Sequence, residues 1–313
     1  MHRQRIADNG QLINALIPCP LPPRVAAPAV SPLSHHPPDR LTPSHRLPLW
    51  GKRILVTAPR TYASRLAREI VDLGGLPILM PTIETCWLED YTALDLALQQ
   101  LDRFDWIAFT SRNGIDAVAE RLNALGLSPS ARCRSIAIGR DAGRLAELGF
   151  RADLIPAEPS PNGIVAELSP ISDIASQTIL VPVPEVIGIR EPNIVPDFVA
   201  ALENLGMSVT RVPAYATRRS LPNSYEIELN LVRQGQIDAI AFSSSAEIES
   251  FLGTIDSPQD VAGCAIACFG PYTAANAKAL GMTVAIVSED YSSFAGFARA
   301  MAEFFARSSA WNP

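Results

Sequence analysis

Several turns in this chain carry residues suited to binding an anion. Thr110-Ser111-Arg112-Asn113-Gly114, Ser243-Ser244-Ser245 and Gly270-Pro271-Tyr272-Thr273 combine hydroxyls and glycine where a strand pattern gives way to a helix pattern. Gly139-Arg140-Asp141-Ala142-Gly143 is a weaker version without a hydroxyl. A helix start leaves backbone N–H groups without partners and carries the positive end of the helix dipole, so carboxylates and phosphates are stabilised there. The same Ser and Thr could be plain N-caps, worth about 1 kcal/mol each. Their recurrence at matched places favours a ligand with several negative charges. Thr110, Ser111, Arg112, Ser243, Ser244, Gly270, Pro271, Tyr272 and Thr273 are the candidate contacts. Arg112 could grip a carboxylate through two N–H groups, or lie solvated on the surface.

Other chemistries lack their residues. The four histidines (His2, His35, His36, His45) all precede residue 50, so the rest has no imidazole for base, Ser-His or metal work. The five cysteines (Cys19, Cys86, Cys133, Cys264, Cys268) form no C-x-x-C pair and read as reduced core residues. No metal and no cofactor is expected. Gly139 to Gly143 is not G-x-G-x-x-G and no G-x-x-x-x-G-K-[ST] occurs, which argues against a dehydrogenase or P-loop site.

The elements that must position these turns come twice. Ile54-Leu55-Val56 returns as Ile179-Leu180-Val181, Leu73-Gly74 as Leu205-Gly206, and Met80-Pro81 as Val212-Pro213. The stretch 105–111 returns as 238–244, and Ile136–Gly139 as Ala267–Gly270, at offsets between 125 and 133. A period this long is a duplicated α/β domain rather than a solenoid unit. Short apolar runs (53–57, 106–109, 135–138) alternate with helix-spaced apolar residues such as Tyr62, Leu66, Ile70 and Leu73. That rhythm predicts parallel sheets with right-handed crossovers. A second extended segment, 78–85, holds Pro81, matched by Pro213. Proline donates no ladder hydrogen bond, so these two read as edge strands or as antiparallel connectors between domains.

Composition bounds the rest. Residues 1–49 hold ten of the 27 prolines without a hydrophobic period, and read as a disordered tail or, being basic, as an organelle transit segment. Beyond them 21 Lys and Arg face 30 Asp and Glu, which argues against nucleic acid or an anionic membrane as partner. No apolar run of about 18 residues is present to span a membrane.

In order and spacing, Thr57, Phe109-Thr110-Ser111-Arg112, Ile138-Gly139, Pro213-Ala214-Tyr215-Ala216-Thr217, Phe242-Ser243-Ser244 and Gly270-Pro271-Tyr272-Thr273-Ala274 resemble the uroporphyrinogen-III synthase family. The match runs from residue 51 to about 305. The resemblance implies two flavodoxin-like α/β domains joined by a two-stranded connector. One would be 51–79 plus 218–313 and the other 86–206, with connectors 80–85 and 207–217. It implies a cofactor-free lyase that closes hydroxymethylbilane, a linear tetrapyrrole with eight carboxylates, to uroporphyrinogen III, losing water and inverting ring D. A monomer in the cytoplasm is expected, or in the plastid stroma if the tail is a transit segment. By the same resemblance Tyr215 is the proton donor to the departing hydroxyl. Its counterpart in the first repeat is Ile83, so only one connector carries a phenol. The family often has Arg directly after the first-strand Thr; here Ala58 stands there, and Arg60 is the candidate in its place. A two-domain hinge protein that binds a polyanion or tetrapyrrole without chemistry remains the alternative.

Overall fold

The computed structural model describes residues 47–221 and 224–309. The expected disordered tail lies outside the described residues up to residue 46. Residues 47–49 depart from that expectation, because Leu49 is fully buried and its N–H bonds Leu73 O at 2.9 Å. Gly74 has φ +86°, and a Cβ there would meet Leu47 Cβ at 2.6 Å. Glycine is therefore needed both for the turn and for the close approach.

The first strand and helix, β1 (Arg53–Val56) and α1 (Arg60–Asp72), lead through Gly74-Gly75 into β2 (Leu76–Leu79). Then come β3 (Ile83–Cys86), α2 (Thr92–Gln99), β4 (Trp106–Phe109), α3 (Arg112–Ala124), β5 (Arg134–Ala137), α4 (Asp141–Glu147) and β6 (Ala152–Leu154). Next are α5 (Pro161–Leu168), β7 (Thr178–Ile187), α6 (Ile194–Asn204) and the long β8 (Ser208–Arg219). The chain closes with α7 (Glu226–Arg233), β9 (Ala239–Phe242), α8 (Ser245–Leu252), β10 (Ala265–Cys268), α9 (Pro271–Ala279), β11 (Val284–Val287) and α10 (Phe294–Ser309).

Two sheets result. The first runs β11-β10-β9-β1-β2, all parallel. The second runs β3-β8-β7-β4-β5-β6, parallel except for β3, which is antiparallel to β8. Leaving out β3, the order β6-β5-β4-β7-β8 matches β11-β10-β9-β1-β2 strand for strand, pairing the segments whose sequences recur. Strands β4 and β9 are buried at every residue, as expected of central strands with helices on both faces. Leu66 and Ile70 of α1 pack with Phe297 and Met301 of α10 on one face of the first sheet. Ile248 and Phe251 of α8 pack on the other. Ile115, Val118 and Leu122 of α3 cover one face of the second sheet, and Phe198 and Leu202 of α6 the opposite one.

The extended segment expected at 78–85 is broken. Strand β2 stops at Leu79 and β3 begins at Ile83, so Pro81 lies between strands rather than in one. Segment 207–217 is likewise more than a connector, since β8 pairs with β7 from Ser208 to Arg218 and with β3 only over Ala216–Arg219. Its Pro213 sits at an irregularity, where Val183 faces Pro213 but Pro184 faces Tyr215, leaving Ala214 as an extra residue. Bulges of this kind re-aim the next side chain. Among the described residues no helix is long and apolar enough to cross a membrane.

Candidate active site

The carboxyl ends of both sheets open onto one cleft of about 620 Å³. Helices α1, α3, α4, α5, α6, α8, α9 and α10 all begin at its wall. Of the sequence candidates, Thr110, Ser111, Arg112, Tyr215, Ser243, Ser244, Gly270, Pro271, Tyr272 and Thr273 line it together. Arg60 does not. It opens α1 exposed, with Nη2 3.4 Å from Tyr225 Oη. Being two positions past Ala58 turns it from the strand end onto the outer face of a helix.

Tyr215 is placed by the bulge at Ala214. Its ring packs in the core cluster with Phe109 and Ile115, and it is only 7% exposed. The phenol end leaves that core: Oη lies 2.9 Å from Ser111 Oγ at the start of α3. Ser111 Oγ also accepts the Gly114 N–H at 3.2 Å, the ordinary N-cap bond. Burial pushes the Tyr215 phenol up to about 12, against the Ser111 hydrogen bond that pulls it down. It therefore stays protonated at neutral pH. Its repeat counterpart Ile83 also lines the cleft, without a polar atom to offer.

The start of α8 is arranged differently from the sequence expectation. Ser243 and Ser244 direct their hydroxyls at a carboxylate of the protein itself, Glu247, which is 1% exposed. Glu247 Oε2 also accepts the Ser243 N–H at 2.8 Å and lies 2.7 Å from Thr57 Oγ1. Thr57 has one hydroxyl proton and a second acceptor, Ala241 O, at 2.9 Å. When that proton goes to Ala241, the short contact to Glu247 requires a proton on the carboxyl. Burial raises the Glu247 pKa, which agrees with this proton count. The spacing Ser244-x-x-Glu247 is that of a capping box, a sequence signal from which this residue could have been found.

The start of α9 stays open. Gly270 caps it without a side-chain hydrogen bond, Pro271 follows, and Thr273, a buried residue whose hydroxyl still reaches solvent, makes no side-chain hydrogen bond among the described residues. Tyr272 crosses the cleft instead, with Oη donating to Glu158 Oε1 at 2.6 Å and lying 3.0 Å from Ser160 Oγ. A second crossing comes from Tyr62 of α1, which donates to Asn113 Oδ1 of α3 at 2.8 Å. The helix periodicity showed Tyr62 only as a core residue, and nothing in the sequence pointed to Glu158 or Ser160. Asp141 opens α4 at the wall, and its carboxyl accepts no hydrogen bond among the described residues. Burial raises its pKa, opposed by Arg112 and Arg65.

The family model for uroporphyrinogen-III synthase HemD matches residues 64–298. A protein named uroporphyrinogen-III synthase from Synechococcus elongatus is 32% identical over 255 residues, covering 78% of this chain and 92% of its own. One of the same name from Chlorobaculum parvum is 26% identical over 259 residues, 80% of this chain and 98% of its own. The crystal structure of a mutant uroporphyrinogen III synthase from Thermus thermophilus shares the fold with a TM-score of 0.59 at 20% identity. It covers 81% of this chain and 100% of its own. The chain belongs to the uroporphyrinogen-III synthase family.

Proposed function

We propose that this cleft closes hydroxymethylbilane to uroporphyrinogen III with loss of water and inversion of ring D, and that Tyr215 starts the reaction. The observation that carries the assignment is one phenol, lifted by a bulge to the cleft wall and held at 2.9 Å from a cap hydroxyl. Ser111 Oγ can donate to the Tyr215 oxygen, which frees the phenol proton for the leaving hydroxyl. A phenol near 12 is still a stronger acid than water, whose pKa is about 15.7, so transfer to departing hydroxide is downhill. General acid help of this kind contributes ~10²–10⁴-fold. The rest is orientation: ring D must attack from its substituted carbon, through a spiro intermediate, faster than the direct closure that gives isomer I.

The eight substrate carboxylates match a wall of helix starts. The open start of α9, with Tyr272 and Thr273, and the α3 turn, with Thr110 and Arg112, are the assigned contacts. Ser243 and Ser244 shape the wall through Glu247. We read the chain as two lobes from a duplication, 51–79 with 218–313 and 86–206, hinged at 80–85 and 207–217. Two facts support this: the strand orders match, and the β2-β1-β9-β10-β11 order is the flavodoxin-like one. The protein is expected to act as a cytoplasmic monomer. Freshly made hydroxymethylbilane given to the purified protein, then oxidised and chromatographed, should yield mostly isomer III. Isomer I alone, at the rate of the blank, would reject this function and favour a non-catalytic binder.

A further inference from the structure

A carboxyl group without a hydrogen bond is an anomaly in a cleft that receives an octacarboxylate. Asp141 is such a group: it lines the cleft, is partly buried, and accepts no hydrogen bond among the described residues. Like-charge repulsion makes it unfavourable for binding the substrate side chains, so its solvent-accessible acceptors suit a neutral or cationic donor instead. The protein's own nearby cations, Arg112 and Arg65, act on it through charge alone. Its position follows from topology. Strands β4 and β5 are parallel neighbours, so the turns after them, carrying Ser111 and Asp141, sit side by side at the cleft. Ser111 holds Tyr215, and Tyr62 lies within electrostatic reach of both Asp141 and Tyr215. The turn that carries the carboxyl is therefore the neighbour of the turn that holds the phenol. The matched turn of the other sheet carries Tyr272 in this place, so the repeat does not require an acid here.

A linear tetrapyrrole offers one kind of neutral donor, its pyrrole N–H groups. When the hydroxyl leaves a pyrrole-bound methylene, the C–O electron pair goes to oxygen and the ring becomes a cation. We propose that Asp141 accepts the N–H of the reacting pyrrole and supplies the counter-charge to the azafulvenium cation formed as Tyr215 protonates the departing hydroxyl. The ring keeps its N–H, and Asp141 stays a carboxylate throughout. The proton released from the terminal pyrrole carbon on ring closure restores the phenol, so substrate becomes product plus water with nothing else consumed. Such a fixed counter-charge acts on the transition state and opposes ground-state binding of a polyanion.

This rests on the synthase reading above, and its test separates the two. Steady-state assays of wild type, D141N and D141E with freshly made hydroxymethylbilane, read as isomer III, give kcat and KM for each. Asp141→Asn should lower kcat roughly 10- to 100-fold while KM stays the same or falls, because a like charge is gone. Asp141→Glu should recover most of kcat. An unchanged kcat in D141N, or a loss carried wholly by a higher KM, overturns the inference and leaves the synthase reading standing. D141N that loses cooperative unfolding contradicts it too, since a carboxyl without protein hydrogen bonds has no structural bond to lose. Wild type yielding only isomer I at the blank rate would remove the synthase reading, and this inference with it.

Discussion

The two walls of the cleft are built from the same strand order and the same turns, yet they carry different groups. At the first sheet, the α8 start is closed around an internal carboxyl, Glu247, and the α9 start is left open beside an unbonded Thr273. At the second, the α3 start holds the Tyr215 phenol through Ser111, and the α4 start shows the unbonded Asp141 carboxyl. Matching topology sets where a turn lies; one or two residues at each turn decide what it can do. On the proposed account the first wall holds substrate, and the second performs the chemistry while adding the Thr110 and Arg112 contacts.

The largest break in that comparison should come from Tyr215→Phe. Turnover to isomer III is expected to fall ~10²–10⁴-fold, with the chemical denaturation midpoint nearly unchanged. Ser111 keeps its Gly114 partner, so the cap survives. Unchanged turnover would move the acid role to water or to the substrate.

Glu247 sharpens the contrast from the other side, through stability rather than turnover. Glu247→Ala strips the partner from the buried Thr57 and the part-buried Ser243 and Ser244, and should cost about 2–5 kcal/mol. Urea denaturation measures this. The pH dependence has a definite sign. Burial raises the folded-state pKa above the unfolded one, so the folded protein holds this proton more tightly. Its contribution is fully present below the unfolded pKa and is lost as pH rises through the folded value. Glu247→Gln should flatten that decline. A decline as steep as in wild type would mean that another group causes it.

Smaller still is Tyr272→Phe, which removes a side-chain tie across the cleft. A loss near 1 kcal/mol in stability is expected, with KM changed a few-fold at most. Loss of isomer selectivity in this variant would instead make Tyr272 part of the chemistry.

The parallel α/β character of the fold was legible because the sequence shows one pattern twice. The recurrence of 105–111 at 238–244 foretold that β4 and β9 occupy equivalent central places. Proline told less: Pro81 ends an extended run, whereas Pro213 marks a bulge inside one, and composition does not separate the two. Of the site, the turns were visible as residue types at strand ends, and Tyr215, inside β8, only through the family resemblance. Arg60 misled because a shift of two positions crosses from strand end to helix face. Glu247 had a capping-box spacing, but only burial reveals that the Ser243 and Ser244 hydroxyls have a partner inside the protein. Asp141 stood in the turn ranked weakest, since hydroxyls were the expected currency of an anion site.

The division between the two walls is tested most directly by measuring kcat and KM for Tyr215→Phe beside Thr273→Val, a near-isosteric loss of the unbonded hydroxyl at the α9 start. The account predicts that Y215F lowers kcat and leaves KM within a few-fold, whereas T273V raises KM and leaves kcat close to wild type. The reverse pattern, or the same pattern in both variants, would contradict it.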